Sequence, residues 1–442
     1  MLRKGWLSWL VTCTLLAGSL VAGVLPPAGA QPSPPTEMEA FWLNTYAAPL
    51  GDSLATMDRE LLAKAQPDEC YNGLGAPYVA DPTCPGWPDG QPKVNEGYVF
   101  GLTKAGDDLW YGTVTNMPCL VLSQILGLVP PHETGAWACE FGLSAYGQNY
   151  GLPSILGDWR PPSIYRYHLP TRTQIKVTPA DPLIADTLGL RSAGTLGDVV
   201  LLAGPSLAAW AGTGGGLNFF AFHTDGTYLG SAVLPEYNDI RKWVVHEGVL
   251  YTGVRNSAGG GSVLRWLGDA GNPFAFEVVG HLDAAAADLA VHQGQLFVTT
   301  WPDLNPPNLP TVLSGLWMSP PIPPGGLDAG HSPLWQKVWQ ADDYEADPLV
   351  AHTYMGGGLA SYGGYLYWGT MHFPTLGAIG HLLTYGVPED PEDVLAVLLA
   401  THRPINIFRG TDFGTPGEVQ QVLYGLPWMP AYDPATGEWV VV

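Results

Sequence analysis

The chain has 442 residues and a formal net charge of −22, with charged side chains making up only 13% of it. So large an acidic surplus excludes nucleic acid and anionic membrane surfaces as partners, because both require clustered cations that release counterions. The 46% apolar content excludes disorder, and 56 glycines with 42 prolines point to a loop-rich extracellular β protein.

Residues 1–30 read as a secretory signal peptide. Arg3 and Lys4 precede an apolar stretch from Trp6 to Val24, and Ala28-Gly29-Ala30 supplies a small-residue cleavage site before Gln31. The rival is an uncleaved anchor, but Ser8, Thr12, Thr14 and Ser19 dilute the stretch. Cleavage removes two basic residues and no acid, taking the charge from −22 to −24. The expected location is secreted, periplasmic or cell-surface, with no membrane span in the mature chain.

Four cysteines survive cleavage, Cys70, Cys84, Cys119 and Cys139. An even count in an exported chain reads as disulfides, and pairing local in sequence joins Cys70 to Cys84 and Cys119 to Cys139. A four-cysteine metal site is the competitor, and no C-x-x-C pair supports it. Residues 31–96 form an extension with a Pro-rich leader, the first cysteine loop and one helical pattern over Gly51 to Ala65, where Leu54, Met57, Leu61 and Leu62 recur at helical spacing.

Residues 97–442 read as an all-β propeller of four-stranded blades. The clearest copy is Asp239 to Gly280. Trp243 to Val245 and Val249 to Val254 are apolar runs across a His246-Glu247-Gly248 turn, and Ser262 to Leu267 and Phe274 to Val279 form a second hairpin. Strands this apolar cannot be solvated on either face, so the sheet needs a neighbour on both sides, as a blade in a ring has. The inner hairpin recurs from Tyr98, Leu188, Leu289 and Leu359, and outer hairpins begin at Ser163, Leu217, Leu316 and Ile405. Five blades are recognisable, either as a ring or as part of an incompletely closed larger one. Insertions follow in the first blade, over Cys119 to Cys139, and in the fifth, where Gly386 to Ala400 suggests a short helix or buried strand. Ala431 to Val442 reads as a fresh strand with no partner.

On this repeated strand-turn-strand pattern, the chain resembles the secreted bacterial β-propellers, which include kelch-like, lactonase-like and lectin-like members. The resemblance spans Tyr98 to Leu423. It rests on no diagnostic motif: Gly357-Gly358 and Gly363-Gly364 only hint at kelch repeats, and His223 to Tyr228 matches an Asp-box turn loosely and once. It therefore implies a fold and transfers no catalytic residue.

In such a blade the entry to the inner hairpin and its exit meet at one mouth of the central channel. The entry residues are Asn95, Glu96, Asp186, Asp239, His352 and Tyr354; the exit residues are Asn116, Arg255, Asn256, Trp301, Asp303, Met371 and His372. From these, Asp186, Asp239, Arg255, Asn256, Trp301, Asp303, His352 and His372 are the candidate ligand site. Acids, amides, a guanidinium and an indole at one concave place suit a small molecule or glycan, neutral or rich in hydroxyls. The competing reading is that loops at a ring mouth are polar simply because they are solvated. No G-x-S-x-G or H-E-x-x-H motif is present. Two functions remain: a binding scaffold for a glycan, a small molecule or an extracellular protein, and a polysaccharide hydrolase or lyase using carboxylates such as Asp186 with Asp239. No cofactor is required, although the run Asp342-Asp343-Tyr344-Glu345-Ala346-Asp347 offers oxygens to calcium, and His246 and His292 recur at equivalent turns as a conceivable metal pair.

Overall fold

The structure is a computed structural model that describes residues 60–65, 69–72, 90–93, 96–117, 159–303, 309–414 and 420–442. The chain divides into two compact units, Met1–Lys64 and Ala65–Val442. Residues 60–65 carry no helix, and the rest of the expected Gly51 to Ala65 helix lies outside the described residues. The apolar segment from Trp6 and all four cysteine side chains lie outside them too. Among the described residues no helix is long and apolar enough to cross a membrane.

A two-stranded sheet of β1 (Glu69–Asn72) and β2 (Gly90–Lys93) precedes five four-stranded antiparallel sheets. Sheet one is β3 (Glu96–Ala105), β4 (Asp108–Thr115), β5 (Ile164–His168) and β6 (Thr173–Lys176). Sheet two is β7 (Ser192–Leu196), β8 (Val199–Pro205), β9 (Leu217–His223) and β10 (Tyr228–Leu234). Sheet three is β11 (Tyr237–His246), β12 (Val249–Asn256), β13 (Gly261–Trp266) and β14 (Phe276–Leu282). Sheet four is β15 (Ala285–His292), β16 (Gln295–Trp301), β17 (Gly315–Met318) and β18 (Gln336–Gln340). Sheet five is β19 (Tyr354–Tyr362), β20 (Tyr365–His372), β21 (Asn406–Gly410) and β22 (Gln421–Tyr424). In every sheet the strands lie side by side in chain order, and the first strands β3, β7, β11, β15 and β19 pack against one another in succession. This is a five-bladed β-propeller, with those first strands lining the central channel.

Alternation of side chains along each strand explains the stacking. Val199, Leu201 and Phe219 turn toward sheet three, while Val200, Leu202 and Phe220 turn toward sheet one. Leu250 joins the layer shared with sheet two and its neighbour Tyr251 the layer shared with sheet four. Leu296 and Phe297 divide in the same way between sheets three and five. A period of two thus places consecutive apolar residues in two different cores, which is why the strands read as unbroken apolar runs.

Glycine sets the closeness of the first strands. A Cβ on Gly101 of β3 would lie 2.5 Å from the Ser192 backbone of β7. The inner hairpins turn on residues with positive φ, Glu247 at 47° and Gly248 at 78°, as two-residue turns that follow the strand twist require.

The fifth blade departs from the repeat. Between β20 and β21 the chain forms α4 (Pro374–Tyr385) and α5 (Pro391–Thr401), so the Gly386 to Ala400 insertion is helical and is preceded by a helix the sequence pattern did not disclose. Ala431 to Val442 does not end as an unpaired strand. It folds as a hairpin of β23 (Pro430–Asp433) and β24 (Glu438–Val441), with Tyr432 opposite Trp439, and both rings pack on His381 of α4. Within the apolar runs of the inner hairpins, Trp243, Leu250, Tyr251, Leu296 and Leu366 are buried, whereas Tyr367 is only half-buried. Leu366 and Trp368 face sheet four, so the alternation turns Tyr367 the other way.

Leu250 is 1% exposed in the layer between sheets two and three. Leu250→Ala is expected to cost about 2 to 5 kcal/mol through lost burial and the cavity left behind. Urea unfolding with an unchanged m-value checks this, and a midpoint equal to the parent's would place Leu250 outside the interblade core.

Candidate functional site

The expected mouth residues resolve into separate groups. The innermost group is built around Asp239 on β11. Its carboxylate accepts from Arg191 Nη1 at 2.6 Å, lies 3.9 Å from Arg241 Nε, and accepts the Ile240 amide at 2.9 Å. The strand register sets Asp239 opposite Arg255, but the carboxylate turns to Arg191 of the adjacent blade and lies near Arg241, two residues along β11. A bulge on β11 beside Asp239 re-aims the strand there.

Trp301, at the end of β16, completes this group. The Arg241 guanidinium sits 3.2 Å from its ring centroid and the Arg191 guanidinium 5.6 Å from it. The indole N–H donates to the Gly356 carbonyl at 2.5 Å, which ties the ring to the fifth blade. Next to it, Asp288 of β15 accepts from Lys242 Nζ at 3.1 Å and from the Leu359 amide at 2.9 Å. Asp239 and Asp288 occupy comparable bulged positions on adjacent first strands, and each carboxylate accepts the amide of the residue after it. Arg191, Arg241, Lys242 and Asp288 were missed in the sequence. Their signal was the channel position within each first strand, which becomes visible once the bulges are known.

A second group lies at the rim. Arg255 Nη2 pairs with Asp303 at 2.8 Å, both more than one-third exposed. Asp303 also borders a cavity of about 510 Å³ with Gly259, Asp283 and Leu309. Asn256 serves the blade itself: its side-chain oxygen accepts from Ser262 Oγ, and its backbone closes the turn to Gly260.

The two histidines fall in a third place, on the fifth blade. His372 ends β20 opposite Tyr354, with ring centroids 5.5 Å apart, and both its ring nitrogens are buried without a hydrogen-bond partner. Burial, with Arg403 and His402 nearby, holds its pKa down to about 3. His352 follows α3 (Pro348–Ala351) and its Nδ1 is likewise buried without a partner. Asp186 closes α1 (Pro182–Ala185), apart from the Asp239 cluster's ion pairs, and burial raises its carboxyl pKa against the lowering bond from Asn218. Asn95 lies outside the described residues, and Glu96 accepts from Tyr165 Oη at 2.8 Å within sheet one.

Of the acidic run that offers oxygens to calcium, Glu345 and Asp347 are engaged by protein donors. Arg403 donates to Glu345 through Nε at 2.6 Å and Nη2 at 3.0 Å, and Tyr354 Oη adds a third bond. Asp347 caps α3 through the Leu349 and Val350 amides and accepts from His381 Nε2 at 2.9 Å. Among the described residues no cluster of three or more metal-ligating side chains forms. His292 is buried and its Nδ1 bonds Ser361 Oγ on the next blade, so it does not form a pair with His246.

No protein-family model matches the sequence, and no curated protein does. Among solved structures the chain is similar to a putative exo-beta-1,3-galactanase from Bifidobacterium bifidum, with 11% identity, 81% of this chain and 97% of that one covered, and a TM-score of 0.37. An exo-beta-1,3-galactanase from Phanerochaete chrysosporium bound to beta-1,3-galactotriose gives 11% identity over 77% and 66% of the two chains, at TM-score 0.36. A puromycin-hydrolyzing peptidase from Mycobacterium tuberculosis gives 12% identity over 86% and 50%, at TM-score 0.39. A galactanase and a peptidase resemble the chain to the same small degree, so the likeness selects no chemistry.

The buried imidazole carries a pH prediction. His372 has a folded pKa of about 3 against an ordinary 6.5, so below 6.5 the unfolded chain binds the proton and the folded one does not. Stability is therefore full above 6.5 and falls by about 1.4 kcal/mol per pH unit as pH drops toward 3. Asp347 adds in the same direction lower down: burial raises its pKa, but His381 outweighs that, and the depressed carboxyl loses its contribution as pH falls through the folded value. Urea midpoints measured across this range should fall less steeply in His372→Phe than in the parent; parallel curves would assign the acid sensitivity elsewhere.

Proposed function

We propose that this propeller binds a carbohydrate in its central channel, at the Arg191, Asp239, Arg241 and Trp301 group. The observation that carries the reading is the Arg241 guanidinium laid on the Trp301 ring at 3.2 Å, a planar donor fork held in place before any ligand arrives. Stacking fixes the plane of the fork, and the Trp301 bond to Gly356 fixes the ring. Sugars offer adjacent oxygens to such a fork and C–H faces to the apolar wall beside it. Partners of this chemistry also fit an acidic exported protein with few cations to place.

Hydrolysis of a polysaccharide is the second reading, and Asp186 favours it. A general acid for glycoside cleavage needs a carboxyl held above its usual range, as burial holds this one. Asp239 and Asp288 are tied into ion pairs, an arrangement suited to orienting a ligand more than to donating a proton. Binding is therefore the better supported of the two.

A glycan array containing beta-1,3-galactotriose, followed by titration calorimetry on the best hit, tests both. Trp301→Ala should weaken binding by about tenfold or more, since a rigid aromatic support is lost. Equal binding by that variant would move the site away from the channel. Release of reducing ends that disappears in Asp186→Asn would select the hydrolase reading instead.

A further inference from the structure

On the side of the channel nearer the inner-hairpin turns lies a cavity of about 340 Å³, walled by β3, β7 and β11. That volume is at the small end of the roughly 300–1,000 Å³ found for small-molecule sites. Its polar lining consists of donors: Arg241, Lys242, the hydroxyls of Thr103 and Thr195, and Trp243. No aspartate or glutamate is among its described lining residues, in a chain with 40 acids and 18 bases.

Two of those donors lack acceptors. Among the described residues, Arg241 Nη2 and Trp243 Nε1 are buried without a hydrogen-bond partner. The Thr103 and Thr195 hydroxyls bond each other at 3.0 Å, which occupies one of their two hydrogens and leaves the other free to donate. Charge is also unbalanced: among the described residues Arg191, Arg241 and Lys242 face only Asp239 and Asp288, three positive charges against two negative. Orphaned buried donors cost stability, and an acceptor-rich anionic ligand would satisfy them together.

We infer that this cavity receives the carboxylate of an acidic sugar, a uronic acid residue, with Arg241 as the carboxylate fork, Lys242 as a flanking cation, and the threonine pair and Trp243 N–H meeting ring oxygens. The inference rests on the carbohydrate reading above and narrows it, since a neutral sugar would leave the spare charge uncompensated. Phe100 and Leu250 supply the apolar part of the wall for a sugar C–H face.

Titration calorimetry on the full chain at low salt, with galacturonate, galactose, acetate and sulfate as probes, tests it. Galacturonate should bind about tenfold or more tightly than galactose, and its binding should weaken as salt is raised. Arg241→Gln should remove that preference, and Lys242→Met should weaken galacturonate by a larger factor than it weakens galactose; the second variant stands in if the first fails to fold by thermal melting. Galactose bound as tightly as galacturonate would overturn the acid site and leave the carbohydrate reading intact. Acetate or sulfate competing as well as galacturonate would reduce the cavity to a general anion site and overturn the sugar assignment. No saccharide binding at all would overturn both.

Discussion

The whole molecule depends on sheets that are apolar on both faces. A four-stranded sheet carrying Leu250 on one side and Tyr251 on the other cannot exist alone in water, because either face exposes what the other buries. Stacking in a ring resolves this for every sheet at once, and the first strands then converge on one axis. That convergence, more than any motif, is what brings Arg191 from one blade, Asp239 and Arg241 from the next and Trp301 from a third within contact of each other.

The fifth blade shows what happens where the repeat is interrupted. Its inner layer against the fourth is apolar, with Trp368 stacked on Phe408 and Trp339 packed against both. Beneath it the chain places a dry polar network, in which Arg403 and Glu345 are at most 1% exposed. Burial lowers the Arg403 pKa, but its bonds to Glu345 raise it further, so the guanidinium stays charged. Such a pair seldom adds stability over a well-packed apolar one, yet removing one partner strands a charge. Its geometric effect is clearer. Arg403 reaches the Pro430 carbonyl, and Asp347 accepts the Tyr432 amide, so the same network anchors the C-terminal hairpin and the helical insertion to the blade.

Much of this architecture was legible because it follows from alternation. All ten hairpins of the propeller could be placed from apolar runs and turn residues, since each strand repeats one pattern. Two things were hidden. The helix Pro374–Tyr385 begins directly after a strand and reads as more apolar chain, and the C-terminal hairpin has a turn, Asp433 to Gly437, whose partner strand is only four residues long. Sequence position gathers the candidate residues at one mouth, whereas the structure divides them among separate groups. Asp239 and Arg255 are register partners, yet the bulge on β11 sends the carboxylate to Arg191, and Arg255 is left to Asp303.

Charge links the channel to the rest of the protein. A net charge of −22 produces a negative field around the molecule, which disfavours the approach of polyanions as a whole. That field is screened beyond about 8 Å at physiological ionic strength, whereas partly buried cations inside the channel are screened much less. A long acidic polymer would meet the outer field along most of its length and gain from Arg241 and Lys242 at only one place. A short or terminal residue bearing one carboxylate would meet the outer field once and bring its charge to the Arg241 and Lys242 group. On the proposed reading, the acidic surface and the cationic cavity would act together as a filter on charge number, admitting one negative charge and opposing many.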